Sequence, residues 1–287
     1  MEHCFTAALL DDWIKAVLAE DVGPGDVTTN ALVPSSARAR MWWEAKSELT
    51  ACGMELAARF FTILDPDCRV IRTAEDGTGA RPGDILLEVR GSARALLCAE
   101  RSALNVAQHL CGVATLTREF VERVRGTGAV IAATRKTMPL LRGLEKQAVC
   151  AGGGVPHRFG LSDGVLIKEN HLAMAGSIIE AVARGREGAH HLLRIEVEVT
   201  SIEELEQALE AGADLALLDN MGMEAMRESV RLCRGRIPLE ASGNVTLDNV
   251  REVAETGVDI ISVGALTHSA PSADISARLG SLEDKHD

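Results

Sequence analysis

Eight side chains that are cationic, or can become so, crowd one stretch of an otherwise acidic chain. Arg135, Lys136, Arg142, Lys146, His157, Arg158, Lys168 and His171 all fall between Ala133 and His171, while the 287 residues carry a formal charge of −12. A positive cluster that opposes the global field suits a small, multiply anionic ligand held in one pocket. Arg offers carboxylate or phosphate a planar fork, and Lys offers a point charge. Arg142 and Lys146 stand four apart after Pro139, a spacing that predicts a solvated helix face for these two. Arg135-Lys136 and His157-Arg158 instead flank strand-like and glycine-rich segments, where such a face is not expected.

Two acidic positions complement the cations. Glu196 and Glu198 alternate on one predicted strand and share a face, so at least one carboxylate should point inward and need a cation or donor. Glu198 and Asp219 each end a predicted strand; their residue types alone leave a structural ion pair and a functional acid equally open. SGN at 242–244 and VGALTHS at 263–269 are strand-to-helix turns rich in small residues. There, backbone N–H groups and a helix N-terminus can hold phosphate, and glycine permits close approach. His268 by itself reads as structural, or as a donor behind the site. The histidines show no HExxH or Cys/His spacing, so a structural zinc is not expected. Cys150 reads as a small buried thiol rather than a nucleophile. The chain has no tyrosine to act as an acid or base.

The elements that must position these groups are legible in part. Thr6 to Glu20 carries an amphipathic helical pattern, and GPG at 23–25, with no following Lys-Ser/Thr, reads as a plain turn. ARARMWWEA, CRVIRTA and DILLEVRG are strand candidates, with RPGD at 81–84 as a bend. Ala93 to Arg125 predicts a long helical region broken at Gly112. Arg101 lies on it, and its neighbours alone favour a salt bridge to Glu100 or to a neighbouring turn. After Gly128, strands AVIAAT, DGVLIK, RIEVEV, DLALLD, IPLEAS and DIISVG alternate with helices, and polar tips recur at Lys168, Glu198, Asp219, Ser242 and Gly264. That is the rhythm of βα units, whether the sheet closes into a barrel or stays open and doubly wound. No Gly-x-Gly-x-x-Gly follows a first strand, which argues against a dinucleotide fold.

Composition bounds the rest. The chain is 46% hydrophobic and 25% charged, the balance of a soluble globular protein, and no apolar run approaches the ~20 residues of a membrane span. The N-terminus has no basic region before an apolar core, so no secretory signal is expected. Seven cysteines without a CxxC pair read as reduced thiols of a cytoplasmic protein. The net charge disfavours nucleic acid and anionic membrane surfaces as partners.

Several blocks in order carry a family resemblance: EDVGPGDVTTNALVP, ERSALNVAQHLCG, TRKT, the triple glycine running into HRFGL, VLIKENH, IEVEV, LLDNM, LEASGNV and ISVGALTHS. Together they resemble the quinolinate phosphoribosyltransferases, also called carboxylating nicotinate-nucleotide pyrophosphorylases, over nearly the whole chain. The resemblance implies an α/β fold: an incomplete α/β barrel of fewer than eight strands, with an N-terminal α+β domain of antiparallel sheet plus helices. Domains are expected at 1–112 and 113–287, the last residues packing back on the first domain. The implied reaction transfers a phosphoribosyl group from phosphoribosyl diphosphate to quinolinate with loss of CO2, in de novo NAD synthesis. The implied substrate-binding set is Arg101, Arg135, His157, Arg158, Lys168, Ser242, Gly243, Asn244, Gly264 and His268. Lys136, Lys168, Glu198 and Asp219 take catalytic roles, and Glu198 and Asp219 meet the ribose hydroxyls and a Mg2+ delivered with phosphoribosyl diphosphate. Arg101 would reach the partner's site in a homodimer with shared active sites, which reverses its local reading and leaves room for a higher assembly. Leu140 departs from the glycine usual after that proline. The alternatives are a related pyrophosphorylase associated with molybdate transport and a ligand-binding protein without turnover. The second would be expected to lose the acidic pair that this chain keeps.

Overall fold

The structure is a computed structural model and describes residues 7–282. In chain order the first elements are α1 (Ala7–Val22), α2 (Val27–Leu32), β1 (Arg38–Ala45), β2 (Leu49–Thr50), α3 (Met54–Leu64), β3 (Arg69–Thr73), β4 (Gly79–Ala80), β5 (Ile85–Ser92) and α4 (Ala93–Arg123). There follow β6 (Val130–Ala132), α5 (Arg142–Ala151), β7 (Val165–Ile167), α6 (Glu169–Ala175), α7 (Ile178–Gly188), β8 (Ile195–Val199), α8 (Ile202–Glu210) and β9 (Leu215–Asp219). The last are α9 (Met223–Cys233), β10 (Leu239–Ser242), α10 (Val250–Ala254), β11 (Ile260–Ser262), α11 (Ala265–His268) and β12 (Ile275–Gly280). Two compact units result, one of residues 1–116, 143–152 and 270–287, the other of 117–142 and 153–269.

In the first unit an antiparallel sheet runs β12-β1-β5-β3. Residues of the C-terminal segment, Ile275 to Gly280, pair with Arg40 to Ala45. The apolar side of β1 buries Met41 and Trp43 among Phe60 and Phe61 of α3, the Trp43 and Phe61 rings meeting edge-on at 6.0 Å. Arg40 is buried, and its Nε and Nη2 reach Glu88 at 2.8 and 3.0 Å. That two-pronged pairing is what makes a charge tolerable there. The predicted break in α4 is absent: the helix runs through Gly112. One glycine costs a helix only about 1 kcal/mol. Its use here is space, since a Cβ at this position would stand 2.0 Å from the Pro271 carbonyl oxygen.

The solvated face predicted for α5 is also corrected. Lys146 is 3% exposed and Glu145 is fully buried in the first unit, where Glu145 Oε1 meets His109 Nε2 at 2.7 Å. Helical spacing identifies which residues share a face but not what that face meets. Cys150, expected to be buried, is exposed near the end of the same helix, and among the described residues Cys52, Cys68, Cys111 and Cys233 are buried free thiols.

The second unit is a parallel sheet of order β6-β11-β10-β9-β8-β7, each strand but the first in chain order following the βα rhythm of the sequence. On β8, Ile195, Val197 and Val199 are buried, and Glu196 and Glu198 occupy the other face. The named strands do not close a ring, because β6 and β7 are the two ends of the order. Beyond β6 the ladder gains one parallel bridge, Ala132 to Val155. Pro156 follows, and a residue without an N–H cannot extend a ladder.

Candidate active site

The C-terminal ends of the parallel strands gather the predicted chemistry of the second unit. Arg135 and Lys136 follow β6, Lys168 follows β7, Glu198 sits near the end of β8, Asp219 ends β9, Ser242 ends β10, and Gly264 opens α11. His157 and Arg158 follow the single bridge at Val155. Strand ends place these residues because each βα turn leaves the sheet on the same edge.

Arg135 and Arg158 are the centre of the positive charge. The Nε of each is buried with no hydrogen-bond partner. Burial, and then the Arg135 charge, lower the Arg158 guanidinium from its ordinary value, against the pull of Glu196 and Asp163. Two crowded guanidiniums with unpaired donors form a site that an anion completes. Their loops are tied down locally. Arg158 Nη1 donates to the Gly164 carbonyl at 3.0 Å, and the Asp163 carboxylate accepts from the N–H of Phe159 and, at 2.7 Å, of Gly160. Arg142 joins the two loops, its Nε donating to Thr137 Oγ1 at 3.0 Å and its Nη1 to the Phe159 carbonyl at 3.2 Å. It is therefore a staple between TRKT and HRFGL rather than a solvated charge.

Lys168 pairs with Glu198. His171 is not a further cation of the site: its Nδ1 accepts the Lys168 N–H at 3.0 Å and caps α6. On the other side, the Lys136 N–H donates to Thr134 Oγ1 at 3.0 Å, and its carbonyl accepts from Thr267 Oγ1 at 2.6 Å. A Cβ at Gly264 would meet Lys136 Cδ at 2.9 Å and His268 Nε2 at 3.2 Å, so the glycine brings these two together beside the start of α11. His268 Nδ1 lies 2.7 Å from Ser269 Oγ. Arg101, in the first unit, is exposed on α4 and makes no ion pair among the described residues; the expected pair with Glu100 is not formed.

Sequence reasoning missed two groups. Asn220 stands in the left-handed region at φ 54°, donates from Nδ2 to Asp219 Oδ2 at 2.8 Å and accepts from Asn244 Nδ2 at 3.0 Å. It fixes the Asp219 carboxylate and joins the turn at Gly243, where φ is 94° and a Cβ would collide with Asn220 Oδ1. The Asn directly after Asp219 was the available signal. Glu240 is the other. It is 3% exposed, faces Glu196, which is 8% exposed, and both lie 3.6 Å from His157 Nε2.

His157, Glu196 and Glu240 are close enough to suggest a metal cluster, but the ring orientation opposes it. His157 Nδ1 accepts the Arg158 N–H at 2.8 Å, so the ring carries its proton on Nε2 and offers the carboxylates a donor, not a lone pair. At the rim, Glu198 and Asp219 supply hard carboxylate oxygens of the kind that suits Mg2+.

An anion site of paired arginines, with two carboxylates and a glycine turn on the strand ends of an α/β sheet, defines an enzyme-like site for a charged, phosphate-bearing ligand. Residues 26–111 match the family profile described as quinolinate phosphoribosyl transferase, N-terminal domain, and residues 113–278 the C-terminal domain of the same family. The chain is 43% identical over 258 residues to a probable carboxylating nicotinate-nucleotide pyrophosphorylase of Bacillus subtilis, covering 90% of this chain and 89% of the relative. It is 42% identical over 273 residues to the carboxylating nicotinate-nucleotide pyrophosphorylase of Mycobacterium leprae, covering 92% and 95%. The crystal structure of NadC from Streptococcus pyogenes superposes with a TM-score of 0.93 at 39% identity, covering 97% of this chain and 99% of that one. The chain belongs to the quinolinate phosphoribosyltransferase family.

Proposed function

We propose that the protein transfers the phosphoribosyl group of phosphoribosyl diphosphate to the ring nitrogen of quinolinate, releasing diphosphate and CO2 and leaving nicotinate mononucleotide for NAD synthesis. The observation that carries this reading is the Arg135–Arg158 pair, whose buried, unpartnered Nε donors suit a planar dianion. Lys168 adds a third cation, and its pairing with Glu198 holds that carboxylate at the rim.

Phosphates fit the other side of the rim, at Lys136, the Gly243 turn and the start of α11. Diphosphate departure leaves positive charge at the anomeric carbon, and the fixed carboxylates of Glu198 and Asp219 stabilise it electrostatically. Asn220 holds Asp219 ready for that role. Mg2+ arriving with the diphosphate would lie against Glu198 and Asp219, where it neutralises phosphate charge. After the C–N bond forms, CO2 departs and leaves its bonding pair on the ring carbon beside the cationic nitrogen, whose positive charge stabilises it. Positioning and electrostatics supply the catalysis, and no covalent enzyme intermediate is required.

The site is shared in our reading: Arg101, exposed on α4, grips a quinolinate carboxylate in the partner's site of a homodimer. We place the enzyme in the cytoplasm, a reading supported by its free cysteines; no described helix is long and apolar enough to cross a membrane. Mass spectrometry of a mixture with quinolinate, phosphoribosyl diphosphate and Mg2+ tests the reaction. Nicotinate mononucleotide and diphosphate are expected, and quinolinate binding without diphosphate release would refute turnover. Arg135→Ala should weaken quinolinate binding by about 2–5 kcal/mol, the cost of truncating a desolvated charge contact.

A further inference from the structure

We propose that the first unit carries a second anion site, on the face of its antiparallel sheet turned away from α3, for a small molecule bearing two or more linked phosphates. The inference is independent of the reaction proposed above and uses none of its residues.

The register of the sheet carries the argument. Directly paired residues of antiparallel strands stand on the same face. On β1 the core side takes Ala39, Met41, Trp43 and Ala45, and the opposite side takes Arg38, Arg40, Trp42 and Glu44. Arg40 is paired with Arg90 of β5, and Arg90 in turn with Arg69 of β3. Arg40, Arg90 and Arg69 therefore form one row across three adjacent strands. Like charges directly opposite each other destabilise a sheet, so the sheet itself gives no reason for the row. Arg38 flanks it on β1, and Arg72 flanks it on β3.

Acids on this face answer only part of that charge. Glu88 accepts from Arg40 Nε and Nη2 at 2.8 and 3.0 Å, and from Arg90 Nη2 at 3.1 Å. Arg40 is committed there, its guanidinium also lying 5.0 Å from the centre of the Trp42 ring. Arg90 keeps further N–H donors beyond that single contact. Arg38, Arg69 and Arg72 form no ion pair among the described residues.

Exposed arginines are ordinary on a solvated face, but these line a space. Arg38, Arg69 and Arg90 converge from three strands on an open pocket of about 760 Å³, within the range of small-ligand sites. Ile71 and Leu282 add apolar surface to it, and Asp67 brings a carboxylate. Three permanent cations against one acid, in a chain of charge −12, select a multiply charged anion. Guanidinium forks match phosphate oxygens. Two strand spacings set the length of the row at about 10 Å, which linked phosphates bridge and a single carboxylate does not. A pocket, and the overall negative charge, favour a small molecule over nucleic acid.

Calorimetry on the full chain tests the site, with inorganic triphosphate, ATP and adenosine as probes and Arg38→Ala/Arg69→Ala as the variant. Any binding in the second unit is common to both proteins, so their difference reads this face. The parent should bind one further triphosphate per chain, or hold it on the order of tenfold more tightly than the variant, and lose that advantage as salt rises. Arg69→Glu, a single exposed change, should abolish the extra binding and serves if the double variant does not fold. ATP tighter than triphosphate would identify a nucleotide as the ligand, and equal affinities the phosphate chain alone. Identical isotherms for parent and variants overturn the proposal, and so does adenosine binding as tightly as ATP. A larger species in sedimentation that the variant lacks, with no phosphate bound, overturns it in favour of contact between copies. Binding that appears only after deletion of residues 283–287 overturns it as well, assigning the pocket to the chain's own Glu283 and Asp284.

Discussion

Two opposing rules meet at Gly112, and the structure decides between them. Replacing a glycine inside a helix by alanine should stabilise it by about 1 kcal/mol. At Gly112, however, the new Cβ would lie 2.0 Å from the Pro271 carbonyl oxygen, 3.0 Å from its carbon and 3.3 Å from Ser272 Cα. These are backbone atoms, so no side chain can swing aside. Either α4 or the 270–273 segment must shift by more than an ångström, and overpacking of this kind costs roughly 1–3 kcal/mol. The shift also endangers the Ala273 N–H bond to the Gln108 carbonyl, at 2.9 Å, worth about 1 kcal/mol. Gly112→Ala should therefore be destabilised by about 1–3 kcal/mol after the helix gain is credited. Gly188, which ends α7, has nothing within 4 Å of its own Cβ position, and Gly188→Ala should be neutral or more stable. Urea unfolding of both variants, with midpoints and slopes compared to the parent, measures the pair. A Gly112→Ala protein as stable as the parent would refute the packing argument and leave propensity in command.

Leu140 holds φ 64° while its side chain is exposed, so Leu140→Gly relieves about 1–2 kcal/mol of left-handed strain against roughly 0.5–1 of added chain entropy; a small gain in urea midpoint is expected, and a loss would mean the leucine packs. Because the carboxyl of Glu240 is raised from 4.5 to about 7, the folded parent binds the extra proton between these values and loses stability as pH climbs through them. Unfolding at pH 4.5 and pH 8 should thus show Glu240→Gln gaining on the parent by up to roughly 3 kcal/mol at the higher pH, and parallel curves would deny the shift. Mixing Arg101→Ala with Lys168→Ala subunits under exchange should regenerate activity, since one site of a mixed dimer keeps both side chains. Demonstrated exchange without regained activity would remove Arg101 from the partner's site.

Much of this protein is written locally. Strand and helix alternation after Gly128 follows from side-chain period alone, and the tips at Lys168, Glu198, Asp219 and Ser242 follow from it. The density of cations between Arg135 and Lys168 points to a candidate anion site because charge is a property of residue type. Arg142 and Lys146 of that stretch nevertheless turned out to be a loop staple and a buried residue. What depends on neighbours distant in the chain was settled by tertiary structure. The spacing of Lys146 is the same on a solvated or a buried helix, and only the surrounding first unit buries it. Gly112 reads as a breaker until Pro271, far along the chain, is brought against it. Glu240 looks like any acid between apolar neighbours. Its proton is retained because β8 and β10 carry Glu196 and Glu240 toward one imidazole, and burial makes a second charge there too costly.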